Sequence, residues 1–179
     1  VAALDSAVNE QLGKPYLLGG DGGESTDCGK FTLDVSAKAG VTLNYRTADG
    51  QYLQAEQEGK LVHDISQAQK GDLVFWHVPS NEARWATSDD PSAVNSDDKA
   101  YKGVTHVGVY MGDGKVAQAG SGGVSIVSTD IYPIVGVGKF SGSAKGYTDG
   151  ELLQKREEYM KAYKVEVSKR KKARAEALA

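Results

Sequence analysis

The sequence predicts an α+β domain in which N-terminal helices pack on an antiparallel β-sheet. Apolar residues recur with helical spacing near the N-terminus, whereas compact or alternating apolar runs follow between residues 73 and 137. Helices first and a meander of strands afterwards are typical of the α+β class. The 179 residues suffice for one such domain over residues 1–146, with a C-terminal helical extension over residues 147–179.

Three helices are expected before the sheet. Apolar residues spaced by four indicate a first helix around residues 4–12. A second helix is predicted from 28 through 39, because Thr26 and Asp27 are both suitable N-cap residues. A third is predicted from about 49 to 58, before a glycine that is typical of a helix end.

The predicted sheet is built around one buried strand and one hairpin. Leu73–Trp76 is a compact run of strand-forming residues that should be buried on both faces. Residues 105–111 and 115–119 should pair as a hairpin around a Gly-Asp-Gly turn. Residues 124–127 and 134–137 are predicted to add further strands.

Two segments fall outside this regular pattern. Residues 77–104 form a long irregular connection, whose Trp85 and Tyr101 are expected either to cover a substrate groove or to anchor the loop. Residues 151–179 carry nine Lys and Arg against five Asp and Glu, so only this part of the chain is basic. Its predicted helix would pack on the domain or on a neighbouring chain, and binding to an anionic polymer is the alternative.

Composition restricts the function classes. No run approaches the ~20 apolar residues that a membrane-spanning helix needs, so no membrane span is expected. The chain begins at Val1 without a charged and apolar leader, and a removed signal peptide or an upstream domain is expected to precede it. A single cysteine excludes an internal disulfide and argues against a cysteine-rich metal site. We therefore expect neither a metal nor a cofactor.

Cys28 is the candidate nucleophile. It follows a glycine-rich loop and begins the second predicted helix, where the helix dipole favours a thiolate and should lower the thiol pKa. A lone cysteine is otherwise often a small buried apolar residue, and that is the alternative. A nucleophilic thiol also needs a base within hydrogen-bond reach and a third group that orients the base.

His106 is the candidate base. The other two histidines, His63 and His77, lie in polar or irregular segments and are expected to be surface or capping residues. His106 begins a predicted strand and points to the same side as Gly108, which should leave open space beside the imidazole. Gln118, on the other strand of the hairpin, could accept the ring N–H through its carbonyl oxygen, and an ordinary outward-facing polar residue is the alternative.

Four ordered motifs identify a family resemblance. They are Gly13–Gly20, Thr26–Phe31, Gly71–Trp76 and His106–Gly114. Over about residues 5–140 the sequence resembles the NlpC-type cell-wall cysteine peptidases. The resemblance implies a papain-like fold and a peptidoglycan hydrolase that cleaves a stem-peptide amide through a thioester. The bond that it implies joins D-glutamate to the following diamino acid.

The resemblance also implies residue roles. Cys28 would be the nucleophile, His106 the base and Gln118 the third polar residue. Tyr16 matches a tyrosine that lines the site near the oxyanion, and Asp27 matches an acid that holds a free substrate amine. The oxyanion would be met by the backbone N–H of Cys28 together with a second donor.

Two departures from the family pattern concern specificity. The family has Asp-Cys-Ser-Gly-Phe, whereas Gly29 and Lys30 follow Cys28 here. Gly29 occupies the substrate-binding position without the hydroxyl that helps to bind substrate. The connection over residues 77–104 is also longer than usual in the family, which could close the groove over a particular peptide.

The resemblance implies a secreted or cell-envelope bacterial protein, or a phage-encoded and phage-tail associated one. Its partner would be a peptidoglycan stem peptide, with no nucleic acid expected, and its C-terminal helix could bind wall polymer or a partner chain. The alternatives are an amidase that cuts a different wall amide, a secreted antibacterial effector with the same core, and a catalytically inactive wall-binding or phage-tail module.

Overall fold

Three helices precede the sheet in the computed structural model. It describes residues 2–79 and 100–142, together with the single helical residues Lys161, Lys172 and Glu176. The helices are α1 (Ala2–Gln11), α2 (Cys28–Lys38) and α3 (Ala48–Gln57). All three predicted helices are thereby confirmed, with ends shifted by one or two residues.

Within the described residues, six antiparallel strands form one sheet in the order β1-β6-β2-β3-β4-β5. The strands are β1 (Leu61–Val62), β2 (Leu73–Trp76), β3 (His106–Gly112), β4 (Lys115–Gly120), β5 (Gly123–Ser128) and β6 (Ile134–Gly138). The sequence did not predict β1, because two residues are too few to show a period. The α+β class is confirmed, and the predicted hairpin is β3–β4.

The main core lies where the helices cover one face of the sheet. Phe31 and Val35, one turn apart on α2, have no exposed surface. They belong to the same apolar cluster as alternate sheet residues Leu73, Phe75, Val107, Val109, Ala117 and Ala119. A smaller cluster of Val74, Trp76 and Val116 covers the opposite face, so β2 is buried on both faces as predicted.

The β3–β4 turn explains the alignment of the hairpin. Gly112, Asp113 and Gly114 have φ values of 91°, 53° and 73°. This left-handed region favours glycine and is tolerated by aspartate, so the Gly-Asp-Gly sequence is suited to reverse the chain here. The turn sets the register in which Val109 pairs with Ala117.

Only the two ends of the irregular connection are described. At its C-terminal end, the ring of Tyr101 packs at 6.2 Å from that of Tyr52, and its backbone N–H donates to Asp49 Oδ2 at 3.1 Å. Tyr101 therefore anchors the segment on α3, which was one of the two predicted roles. Trp85 lies outside the described residues, as does most of the predicted C-terminal helical extension. In the part of the chain that is described, no helix combines the length and apolar character needed to cross a membrane.

Candidate active site

The N-terminus of α2 positions Cys28. Asp27 is the N-cap residue, and its Oδ1 accepts the backbone N–H of Lys30 at 2.9 Å. The preceding loop runs beside Tyr16, because the N–H of Thr26 donates to Pro15 and the N–H of Leu17 donates to Thr26. Cys28 thus begins the helix, packed partly against the main core.

The environment of Cys28 opposes its ionisation. Burial, followed by the charge of Asp27, raises the pKa of the Cys28 thiol to about 12. Backbone hydrogen bonds from Val107 and Gly29 and the charge of Arg46 act in the opposite direction. The prediction of a lowered pKa was therefore wrong, because desolvation outweighs the benefit of the helix start.

His106 and Gln118 are joined by a buried hydrogen bond. Nε2 of His106 lies 2.7 Å from Oε1 of Gln118, and the two residues are only 5% and 6% exposed. The Gln118 amide nitrogen donates to Ser125 Oγ on β5 at 2.9 Å, which turns its carbonyl oxygen toward the imidazole. Since a carbonyl oxygen only accepts, Nε2 carries the proton and Nδ1 is the basic nitrogen of the neutral ring.

Close strand packing makes this pairing possible. A Cβ atom at Gly108 would lie 2.5 Å from Val116 Cγ1 and 3.2 Å from Gln118 Cβ. The space beside the imidazole is therefore filled by the neighbouring strand, and the prediction that Gly108 leaves it open was wrong. Only glycine lets β4 approach closely enough to bring Gln118 to His106.

Asp27 is held by a second set of partners beside Cys28. Its Oδ2 accepts from the Arg46 guanidinium and from the backbone N–H of Gly19, both at 2.9 Å. The same Arg46 nitrogen donates to the carbonyl of Gly20 at 2.9 Å. The carboxylate is 3% exposed, so a substrate amine would have to share it with Arg46. Its predicted role toward substrate, like that of Tyr16, stays a prediction.

Main-chain packing explains why residue 29 is a glycine. A Cβ atom there would lie 1.9 Å from the carbonyl oxygen of Arg46. The Gln51 side chain locks this contact, because its amide nitrogen donates to the carbonyls of Gly29 and Tyr45, each at 3.0 Å. Lys30, the other unusual residue, pairs with Asp34 at 2.9 Å. The segment around Arg46 therefore takes the place of any side chain at position 29.

The sequence did not reveal the aromatic surroundings of His106. The indole of Trp76 stacks on the imidazole with ring centroids 5.3 Å apart, and the ring of Tyr132 meets it edge-on at 5.9 Å. The only signal for Trp76 was its place in a buried strand, and nothing marked Tyr132. His63 is exposed, as predicted, with Nδ1 near the Val135 carbonyl, whereas His77 is half-buried with Nδ1 near the Gly103 carbonyl.

No metal centre is formed by the residues that the structure describes. Among them, no group of three or more His, Cys, Asp or Glu side chains is placed to hold a metal ion. The helix start instead brings Cys28 to the main chain of Val107 on β3, next in the chain to His106, whose imidazole is bonded to Gln118 on the adjacent strand. Helices packed on one antiparallel sheet are consistent with a papain-like α+β fold.

Comparison with known proteins gives the family. The model of the NlpC/P60 family matches residues 13–86. A protein of Listeria innocua named "Probable endopeptidase p60" is 34% identical over 122 residues, which cover 68% of this chain. The chain belongs to the NlpC/P60 family. It spans only 20% of the length of that Listeria protein.

Two solved structures support the papain-like fold. The NlpC/P60 domain of the peptidoglycan hydrolase SagA superposes with a TM-score of 0.54 at 24% identity, covering 76% of this chain and 96% of that one. RipD of Mycobacterium tuberculosis, described as a non-catalytic NlpC/P60 domain protein adapted to peptidoglycan binding, gives a TM-score of 0.52 at 18% identity. That match covers 76% of this chain and 94% of RipD.

Proposed function

We propose that this domain is a cysteine peptidase that hydrolyses a stem-peptide amide of peptidoglycan. The observation that carries the proposal is the buried hydrogen bond between His106 and Gln118, formed where the chain also brings Cys28 against β3. The names of the Listeria relative and of SagA support an endopeptidase acting on peptidoglycan. The proposed bond joins D-glutamate to the following diamino acid.

The raised pKa of Cys28 defines the first step. Because the thiol keeps its proton at neutral pH, its proton passes to Nδ1 of His106 as the sulfur attacks the substrate carbonyl. The imidazolium then donates that proton to the leaving amine as the C–N bond breaks, and a thioester remains. Water activated by His106 hydrolyses the thioester, and Gln118 keeps the imidazole oriented throughout.

The residues around Cys28 are proposed to bind substrate. The backbone N–H of Cys28 stabilises the oxyanion, and loss of such a donor typically costs about 10²–10³ in rate. Tyr16 borders this side of the site, and Asp27 shares its carboxylate between Arg46 and a substrate amine. Gly29 would contribute to the substrate-binding site through its main chain alone, since the Arg46 carbonyl occupies the volume where a side chain would lie.

The proposed substrate implies a location outside the cytoplasmic membrane. Peptidoglycan lies in the bacterial wall, so we propose a secreted or envelope protein, of bacterial or phage origin. The basic C-terminal extension would contribute contacts with wall polymer or a partner chain.

A second candidate is a wall-binding module without turnover. Burial that raises the pKa of the Cys28 thiol to about 12 favours it, because a protonated thiol is a poor nucleophile unless a base takes its proton. RipD is described as a non-catalytic member with a peptidoglycan-binding function. This candidate predicts binding to wall fragments that Cys28→Ala leaves unchanged, and no hydrolysis by either protein.

A digest of purified muropeptides tests both candidates. Mass spectrometry should show cleavage by the wild type, with the rate reduced by a factor on the order of 10³ or more in Cys28→Ala and His106→Ala. His63→Ala is the matched control, because His63 is an exposed histidine near the Val135 carbonyl, and it should cleave normally. Equal hydrolysis by wild type and Cys28→Ala would contradict the cysteine mechanism.

The same digest identifies the bond. Products ending in D-glutamate with a released diamino-acid peptide support the proposed specificity. Cleavage at another amide would support a different wall amidase or an antibacterial effector with the same core. Sedimentation with insoluble peptidoglycan measures binding separately from turnover.

A further inference from the structure

Three rings form a compact cluster at the end of β2. The Trp76 indole lies nearly parallel to the His106 imidazole, at 5.3 Å and 21°. Tyr132 meets the imidazole at 5.9 Å and 89° and the indole at 6.2 Å and 78°. All three separations fall within the range of favourable aromatic pairs. The imidazole is therefore bounded by an indole face and by a tyrosine ring perpendicular to it.

The segment that carries Tyr132 is fastened to β2. Nε1 of Trp76 donates to the carbonyl of Thr129 at 2.8 Å, and the backbone N–H of His77 donates to the carbonyl of Pro133 at 3.0 Å. These two bonds hold the connection between β5 and β6 on both sides of Tyr132. The tyrosine thus sits at a fixed place relative to the stacked pair and is not the tip of a free loop.

Tyr132 is the outermost ring of the cluster. Trp76 is fully buried and His106 is 5% exposed, whereas Tyr132 is 38% exposed. Its ring therefore stands between solvent and the buried imidazole. Ile131, the preceding residue, is exposed to a similar extent, 39%, but has no aromatic ring. It therefore offers a comparison with Tyr132 at similar exposure.

We propose that Tyr132 is a positioning residue of the candidate active site. With Trp76 it fixes the plane of the His106 imidazole and shields the hydrogen bond to Gln118 from water. Its role in turnover rests on the proposed function, whereas its effect on the imidazole does not require a substrate.

The geometry explains why this position matters. The neutral ring must keep Nε2–H on Gln118 so that Nδ1 remains the basic nitrogen. Rotation of the His106 ring about its Cβ–Cγ bond would break the hydrogen bond to Gln118 and tilt the imidazole out of its stack on Trp76. A perpendicular tyrosine ring blocks this movement and leaves the faces of the stacked pair in contact.

The charged state formed in the reaction is accommodated by the same cluster. An imidazolium is attracted to the face of an indole. Among the groups that contact the imidazole, Gln118 and Trp76 are neutral, and Tyr132 carries a phenol.

Hydrogen exchange of the imidazole tests the proposal without substrate. In protein labelled with ¹⁵N-histidine, the Nε2–H resonance of His106 should be visible and exchange slowly with water. Tyr132→Ala should accelerate that exchange by about tenfold or more, because the shielding ring is lost. Tyr132→Phe keeps the ring and should retain slow exchange, and Ile131→Ala is the matched control at equal exposure. Tyr132→Leu serves if the alanine variant does not fold, and it should change exchange in the same direction.

The outcomes separate this inference from the proposed function. Slow exchange retained in folded Tyr132→Ala or Tyr132→Leu, or a wild-type proton that already exchanges too fast to detect, would overturn it. With muropeptides, Tyr132→Ala should lower kcat with little change in KM, and Tyr132→Phe should restore kcat. A wild type that cleaves no muropeptide but shows the expected exchange pattern would reject the peptidase proposal and leave the effect on the imidazole supported.

Discussion

Two buried aspartates are held in the same way, but only one of them lies beside Cys28. Asp27 and Asp72 each accept two backbone N–H groups, at 2.8–3.0 Å. Each also pairs with a cation from a distant segment, Arg46 in one case and Lys139 in the other. Asp27 caps the helix that begins with Cys28, whereas Asp72 precedes β2 at the end opposite the aromatic cluster.

The difference shows that a buried aspartate paired with a cation influences thiol chemistry only where it lies beside Cys28. The charges of Asp27 and Arg46 act on Cys28 in opposite directions, raising and lowering the thiol pKa respectively. Asp72 and Lys139 instead join the start of β2 to the end of β6. The pair at Asp72 should therefore affect stability alone, and the pair at Asp27 should affect both stability and thiol chemistry.

The largest expected effect is on folding, from Asp72→Ala. This change removes the acceptor of two backbone N–H groups and the carboxylate partner of Lys139, which keeps the Gln67 carbonyl and Gln69 Oε1 as acceptors. Breaking a buried pair typically costs about 3–5 kcal/mol. We expect a loss of unfolding free energy at the lower end of this range, because the Lys139 side chain is 25% exposed and can be partly hydrated. Urea denaturation measures the loss. At low denaturant, the alkylation rate of Cys28 in the folded variant should match that of the wild type, and a changed rate would contradict the separation of roles.

Gly29→Ser should perturb the pair between Asp27 and Arg46 and leave the pair between Asp72 and Lys139 unchanged. A side chain at position 29 would meet the Arg46 carbonyl, so the segment around Arg46 must move, at a cost of about 2 kcal/mol. Restoring the family serine should therefore destabilise this protein and weaken the pair between Arg46 and Asp27. Urea denaturation tests the cost, and Gly142→Ser is the control, since a Cβ atom there meets nothing within 4 Å. Equal stability of the two variants would contradict this account.

Asp27→Asn and Arg46→Met should shift thiol reactivity in opposite directions. Asparagine can still cap α2 but removes a charge that raises the pKa of Cys28, so the thiolate fraction at neutral pH should increase. Methionine removes a charge that lowers the pKa, so the fraction should fall. We expect changes of about three- to tenfold in the rate of alkylation by iodoacetamide, equivalent to half to one pK unit. Mass spectrometry from pH 6 to pH 9 follows the reaction, and shifts of the same sign would refute the assignment.

The sequence predicted the elements whose signal is local. Helix periodicity and caps located α1 to α3, and the Gly-Asp-Gly turn located the hairpin. The pair of His106 and Gln118 was predictable as well, because a tight hairpin leaves few registers for the two strands. Periodicity alone could not predict that Cys28 lies near the sheet. The NlpC/P60 motifs predicted that it belongs with His106 and Gln118.

The remaining features depend on contacts between distant segments. Arg46 meets Asp27 from 19 residues away, and Lys139 meets Asp72 from 67 residues away. Tyr132 reaches His106 only because hydrogen bonds fasten the connection between β5 and β6 to β2. No spacing rule signals such pairs. The raised pKa of the thiol was missed for the same reason, since desolvation depends on everything packed around it.

The smallest expected effect concerns the pH dependence of stability at Cys28. The thiol pKa is raised in the folded state, from its ordinary value of 9.0 to about 12, so the folded protein retains a proton that the unfolded chain loses. The wild type should therefore keep full stability from this group below pH 9 and lose it progressively toward pH 12. Relative to Cys28→Ala, which has no thiol to titrate, the wild type should lose about 1 kcal/mol between pH 7.5 and pH 9.5. Paired urea denaturation curves at the two pH values measure this difference, and other titrating groups cancel in the comparison. In the Asp27→Asn background the loss over this pH range should stay the same, because the folded thiol remains protonated at pH 9.5 even when one cause of its raised pKa is removed, and Asp72→Ala should likewise leave it unchanged.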